Sequence, residues 1–212
     1  MRAMKMPAVP SRGALALIAA ALLCLLAWPG VRHGLEASMT LHMLVQYPLL
    51  ALAGHLLAAA LPGRWTARLD VWNAHGISGL FAAALVLAIL MIPRVLDLAL
   101  VDGRIETLKY LALLACGAAI HLSWRPAGLL VQGFFLGNVL PMMAVVGNLY
   151  ESSPLRICNA YLLDDQARLG QMLVWVAATI AAAWFAGLVR ALMQRDAAVM
   201  APDDGTTKPA AR

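Results

Sequence analysis

Charged residues and cysteines are scarce in this chain, and their scarcity excludes several classes of protein. Only 13% of its 212 residues are charged, and its three cysteines form no CxxC pair. The chain therefore lacks the motif used by thiol–disulfide oxidoreductases and by structural zinc sites. It also contains neither a glycine-rich phosphate loop nor a nucleophile elbow. We expect a protein that is not an enzyme.

Most of the chain consists of hydrophobic residues. The chain is 62% hydrophobic, and its mean hydropathy is +0.78. Apolar runs recur near the length of roughly 20 residues that crosses a bilayer as a helix. Six runs are predicted to be transmembrane helices: 13–29, 39–61, 74–93, 106–123, 127–149 and 168–190. The predicted fold is an all-α, polytopic integral membrane helical bundle (13–190), in which RVLDLALVDGRIE forms an interfacial turn.

The basic residues predict the orientation of this bundle. Ten Lys and Arg residues fall on the side that holds both termini, against six on the other side, so both termini are predicted to be cytoplasmic. Residues 1–12 are then a cytoplasmic segment, and 191–212 a disordered cytoplasmic tail, in a bacterial inner membrane. The first run has the layout of a secretory signal, but no small-x-small site follows Trp28, which favours an uncleaved anchor. The net charge of +5 is interpreted as topology, not as nucleic-acid binding.

One face of the second predicted helix carries a group of polar and soft side chains: Met39, His42, Met43 and Gln46. Their spacings of three, one and three place all four on one side of a helix. Imidazole and thioether groups inside a span are candidate ligands for Cu(I), with His42, Met39 and Met43 as the metal ligands. The alternative is that His42 makes a hydrogen bond between helices and that the methionines are packing residues.

Further polar side chains are predicted to lie at the same extracytoplasmic level. They come from the end of the third span, the start of the fourth and the start of the sixth: Asp97, Glu106, Asp165, Gln166 and Met172. With Gln46, they would support the metal ligands by orienting the histidine or tuning its electrostatic field. Asp165 and Glu106 are also placed to begin helices, where a carboxylate is favourable.

The same segments resemble the CtaG-type cytochrome c oxidase assembly factors. The resemblance is carried, in order over about residues 38–190, by HMLVQYPLLALAG, IPRVLDLAL, HLSWRP, NVLPMMAVVGNLY and LLDDQARLGQMLVW. It implies a membrane protein that helps to mature the oxidase by handling copper on the extracytoplasmic side. Its implied partner, besides membrane lipid, is the catalytic subunit of the oxidase.

The chain departs from the family pattern where most of the family's histidines would stand. Tyr47 lies close to the position of a second histidine, Ile92 precedes Pro93, and residues 105–110 read IETLKY. Two alternatives therefore stay open. One is a structural or scaffolding membrane subunit without metal. The other is a haem-binding redox protein that uses histidines near the cytoplasmic side: His55, His75 and His121.

Overall fold

The structure, a computed structural model, describes residues 11–200, and within that range every regular element is helical. The chain forms nine helices there. They are α1 (Arg12–Ala27), α2 (Pro29–Glu36), α3 (Met39–Ala60), α4 (Gly63–Asp70), α5 (Ile77–Leu90), α6 (Pro93–Val101), α7 (Gly103–Trp124), α8 (Gly128–Ser152) and α9 (Leu163–Met200). The predicted all-α bundle is confirmed.

Four helices, α3, α7, α8 and α9, are long and apolar enough to cross a membrane. Two further spans are complete only if bent pairs of helices are joined, α1 with α2 at 69° and α5 with α6 at 75°. Pro29 and Pro93 begin the second helix of each pair. Proline cannot donate a backbone hydrogen bond to the preceding turn, so the chain bends there. Counted with the bent pairs, the spans number six, as the apolar runs predict.

Two boundary predictions are wrong. The segment predicted to be an interfacial turn contains α6, a helix of nine residues whose Leu96 and Ala99 are buried. The last helix continues ten residues past the predicted end of its span, so 191–200 are helical and not part of a disordered tail. The predicted cytoplasmic segment before residue 11 and the tail after residue 200 lie outside the described residues.

A close crossing of α3 and α7 sets the geometry of the bundle. A Cβ atom on Gly117 would lie 1.7 Å from the carbonyl oxygen of Ala51, and one on Gly54 would lie 2.0 Å from that of Leu114. Only glycine allows two backbones to approach this closely, as small residues do at helix contacts in membranes. The crossing fixes the facing side chains on both sides of the two glycines.

A second close contact joins α8 to α9. A Cβ atom on Gly170 would lie 2.5 Å from the carbonyl oxygen of Gly147, and one on Gly147 would lie 2.7 Å from that of Gly170. This contact holds the first turns of α9 beside the end of α8. The connecting loop, residues 153–162, thereby reaches the first turns of α3, where Tyr161 contacts His42.

Candidate functional site

The site begins with a wide turn in α3. Residues His42–Gln46 form a π-helical turn, in which the backbone N–H of Tyr47 donates to the carbonyl oxygen of His42, five residues earlier. Pro48 follows at once and has no N–H to give to the preceding turn. Single π turns of this kind are frequent at functional sites, because they redirect the side chains of one helical turn.

The predicted polar face is buried as a unit. Met39, His42 and Gln46 are completely buried, and Met43 is 5% exposed. The rings of His42 and Tyr47 also lie perpendicular to each other, with ring centroids 5.2 Å apart. These side chains are therefore interior groups, each of which needs a partner inside the protein if it is polar.

Lys109 supplies the main partner, and its side chain is completely shielded from solvent. Its Nζ lies 2.9 Å from His42 Nε2, 2.9 Å from Glu36 Oε1 and 3.3 Å from Gln46 Oε1. An ammonium group has three hydrogens to donate, and here it faces three acceptors. A buried cation is tolerated when it is paired and fully hydrogen-bonded, as this one is.

These contacts define the protonation of the His42 ring. Because Lys109 carries only donors, Nε2 of His42 accepts and the ring hydrogen lies on Nδ1. Nδ1 is 2.7 Å from the hydroxyl oxygen of Tyr161, to which it donates. Burial raises the pKa of Tyr161, which lies in the loop before α9, so its hydroxyl stays protonated. Both ring nitrogens of His42 are therefore occupied by protein groups.

A second layer of polar contacts closes the cluster on the side of α1 and α2. Gln46 donates to Glu36 Oε1 and to the hydroxyl of Tyr110, both at 3.3 Å. Tyr110 in turn donates to the carbonyl oxygen of Leu26 at 2.8 Å. We call the connected group of Glu36, His42, Gln46, Lys109, Tyr110 and Tyr161 the polar cluster.

Glu106, a predicted supporting residue, lies at the rim of the polar cluster and does not contact His42 in the described structure. It forms a two-oxygen ion pair with Arg32, whose Nη1 is 2.9 Å and 3.0 Å from the two carboxylate oxygens. Arg32 also lies 3.7 Å from Glu36. Glu106 thus ties the start of α7 to α2 and acts on the polar cluster through Arg32 and Glu36.

Asp165 has a different role from the predicted one, because it anchors the beginning of α3. Its carboxylate accepts hydrogen bonds from the hydroxyls of Ser38 and Thr40, both at 3.0 Å, and from the backbone N–H of Met39. The first N–H groups of a helix have no partner inside the helix, and a carboxylate satisfies them well. Asp165 therefore fixes α3 to α9 from outside the polar cluster.

Gln166 and Asp97 both hold the loop that carries Tyr161. The completely buried side chain of Gln166 accepts from the N–H of Ile157 at 2.9 Å and donates to the carbonyl oxygen of Tyr150 at 3.2 Å. Asp97 accepts from the backbone N–H groups of two loop residues, Asn159 at 2.9 Å and Ala160 at 3.4 Å. They position the Tyr161 hydroxyl against His42.

Met172 does not belong to the site. Its side chain is 41% exposed, because α9 turns this position outward while Leu169 and Leu173 face the core. The structure therefore does not bring Met172 together with His42.

The contacts of the two ring nitrogens of His42 bear on whether this residue can bind copper. A metal ligand must offer a free lone pair, but Nε2 of His42 accepts from an ammonium group and Nδ1 carries a hydrogen. Within residues 11–200, no group of three or more His, Cys, Asp or Glu side chains is placed to hold a metal ion. The arrangement as it stands does not fit a copper ion on His42, and we derive no step through such an ion.

Four members of the polar cluster are missing from the sequence-based site: Glu36, Tyr110, Tyr161 and, as a partner of His42, Lys109. A signal existed for the first. Glu36 is the only acidic residue before Asp70, and a lysine inside an apolar span calls for an acidic partner. Tyr161 gives no such signal, since only the folded loop brings it to His42.

The histidines at the other end of the bundle are arranged as a pair. Nδ1 of His121 lies 3.2 Å from Nε2 of His55, and the two rings meet edge to face. His75, the third predicted member, is exposed on the loop before α5. Two nitrogens that share one hydrogen at this distance leave no space for a haem iron between them, which needs roughly 2 Å on each side.

The fold and the polar cluster define a helical protein with four to six potential membrane spans. Comparisons with known proteins add no family: no family model matches the chain, and neither a curated protein nor a solved structure is significantly similar to it.

Proposed function

We propose that this chain is a multi-pass inner-membrane protein that assists the assembly of cytochrome c oxidase. The observation that carries the proposal is the convergence of separate segments in one buried group. The segments that resemble the CtaG-type factors contribute His42 and Gln46 from α3 to this group. Beside it, Asp165 of α9 holds the start of α3, and Gln166 holds the loop that carries Tyr161. The start of α7 contributes Lys109. Burial of polar groups is costly, and the packing of helices alone does not require so many of them in one place.

The polar cluster favours a role without metal. A lysine whose three donors are all used holds α2, α3 and α7 together in one arrangement. Because the polar cluster holds these helices in a fixed arrangement, their outer surface would be rigid. A partner, here the catalytic subunit of the oxidase, could be held on that surface during assembly. In this proposal the protein works as a scaffold, and its partner contacts lie on the extracytoplasmic side.

Copper delivery is the second candidate, and it is favoured by the thioethers beside His42. Met39 and Met43 are both buried in the same core as His42 and Tyr47, and thioethers are soft ligands suited to Cu(I). Copper would be a cargo that the protein passes on. To take part, His42 would have to release Lys109 or Tyr161.

A complementation experiment separates the two candidates. The gene for this protein is deleted in its host. The wild type or His42→Gln is then expressed in the deletion strain, and oxidase activity is measured. The glutamine keeps an acceptor near Lys109 but removes the imidazole. Scaffolding predicts full restoration by both proteins. Copper delivery predicts restoration by the wild type alone, together with tighter Cu(I) binding by the wild type than by His42→Gln plus Met43→Ala. Oxidase activity that is unchanged by the deletion would contradict both.

The proposed topology places both termini in the cytoplasm. It rests on the excess of Lys and Arg on one side of the predicted spans. Fusion of a reporter that is active only outside the cytoplasm to the C-terminus should give no signal, while insertion of the same reporter at Ser153 should give one. The reverse pattern would overturn the orientation.

A further inference from the structure

A cavity lies near the C-terminal ends of α3 and α7, away from the polar cluster. It has a volume of about 610 Å³ and is lined by His55, Ile120, His121, Trp124 and Arg125. Among the described residues, basic, aromatic and aliphatic side chains line it, and no carboxylate does. This combination differs from the polar cluster, where every cation faces an acid.

The two histidines present one hydrogen-bond donor to this cavity, whichever of the two rings donates to the other. One ring donates to the other across the 3.2 Å between His121 Nδ1 and His55 Nε2. A neutral imidazole carries one hydrogen, so the ring that accepts in this bond has its own hydrogen on its outer nitrogen. Among the described residues, neither outer nitrogen has another hydrogen-bond partner.

Arg125 adds a full positive charge beside this donor. Its side chain is exposed, and within residues 11–200 it forms no ion pair. A guanidinium group binds phosphate oxygens through two parallel hydrogen bonds. The same charge disfavours a metal cation at the neighbouring imidazoles, so the cavity suits an anion.

The remaining lining residues indicate where the anion comes from. Ile120 and Trp124 give the cavity apolar walls, and Trp124 is the last residue of α7. Tryptophan at the end of a span lies at the level of lipid headgroups, and basic pockets between helices at that level bind anionic headgroups. We propose that this cavity binds the phosphate group of an anionic membrane lipid, with Arg125 and the paired histidines as its polar contacts.

The test measures lipid binding to the full chain purified in a neutral detergent. Phosphatidylglycerol, phosphatidylcholine and inorganic phosphate are titrated separately, and the midpoint of thermal unfolding is followed. We expect phosphatidylglycerol to raise the midpoint at lower concentration than phosphatidylcholine. Arg125→Gln should weaken phosphatidylglycerol binding about fivefold. The matched control is Arg64→Gln, an exposed arginine in α4 that does not line the cavity, and it should leave the affinity unchanged.

The outcomes distinguish the lipid from other occupants. Because Arg125 is exposed, Arg125→Gln should unfold at the wild-type temperature when no lipid is present. His121→Gln should weaken phosphatidylglycerol binding as Arg125→Gln does. Stabilisation of the wild type by inorganic phosphate alone, equal to that by phosphatidylglycerol, would overturn the lipid as the source of the phosphate. Equal weakening by Arg125→Gln and Arg64→Gln, or stabilisation by Zn²⁺ that His55→Gln abolishes, would overturn the site itself.

Discussion

Lys109 Nζ lies 2.9 Å from His42 Nε2, in the interior between α7 and α3. A lysine that donates to an imidazole fixes the histidine in one tautomer and takes the nitrogen that a metal would use. The contact lies on one side of the Gly54–Gly117 crossing, and the His55–His121 pair lies on the other. One pair of helices therefore presents two different polar groupings at its two ends.

Replacement of Lys109 tests the polar cluster. Lys109→Met keeps the length of the side chain but leaves Nε2 of His42 without its donor and removes the buried cation that pairs with Glu36. Removal of one partner from a buried ion pair costs about 3–5 kcal/mol, and we expect a loss of about 3 kcal/mol in the free energy of unfolding, measured by denaturant titration in micelles.

The control variants separate charge from packing. Arg104→Met removes a charge from the same helix at an exposed position, and it should change stability by less than about 0.5 kcal/mol. Addition of Glu36→Gln to Lys109→Met should cost less than the sum of the two single changes, because the two residues interact. Strict additivity would contradict the ion pair.

The crossing of α3 and α7 is tested by one added methyl group. Gly117→Ala places a Cβ against the backbone oxygen of Ala51, and backbone cannot move aside as a flexible side chain can. We expect destabilisation of about 1–3 kcal/mol. Gly187→Ala is the matched control, since its added Cβ would lie more than 4 Å from every described atom outside its own stretch of helix. It should be neutral or stabilising by up to about 1 kcal/mol. Equal effects would show that the helices are not in close contact.

Asp165 is expected to stabilise the start of α3. Asp165→Asn removes the charge that accepts from Ser38, Met39 and Thr40, and hydrogen bonds to a charged group are worth about 1.5–3 kcal/mol. We expect a loss of about 2 kcal/mol in the same denaturant titration. The neighbouring Asp164→Asn makes the same change at an exposed position and should have little effect. A similar loss in both variants would indicate a general effect of charge.

The thiol of Cys158, in the loop before α9, should be unreactive in the folded protein. Burial, with a contribution from Asp97, raises its pKa to about 12. A raised pKa favours the neutral thiol, and at pH 8 roughly one molecule in 10,000 would carry the reactive thiolate. Maleimide labelling followed by mass spectrometry should therefore modify Cys158 slowly in the native protein and rapidly in denaturant. Equal rates in the two states would contradict the burial of this loop.

Hydrophobic runs were enough to predict the long apolar helices, because a span of apolar residues has few other ways to satisfy its backbone. The shorter helices α2 and α4 were not predicted. The predicted second span, 39–61, matches α3 within one residue. The prediction of a turn at 94–106 was wrong, because this segment is not a continuous apolar run. Its polar residues interrupt the apolar run, but α6 buries only Leu96 and Ala99, a short stripe that an average over hydropathy does not detect.

The polar cluster was predictable only in part. Helical spacing correctly placed Met39, His42, Met43 and Gln46 on one interior face, since side chains three or four residues apart share a side of a helix. The spacing gives no information on which residue faces them from another helix. The same limit explains Met172, which follows Gln166 by six residues and points outward.

The sequence by itself determined the helical bundle, its number of apolar segments and the interior face of α3, because these depend on local hydropathy and periodicity. The tertiary structure alone decided that Lys109 and Tyr161 occupy the two nitrogens of His42. It also decided that His55 and His121 form a pair while His75 stays apart. These pairings depend on the crossing at Gly54 and Gly117, where two backbones meet, and no pattern within one helix specifies the register of another.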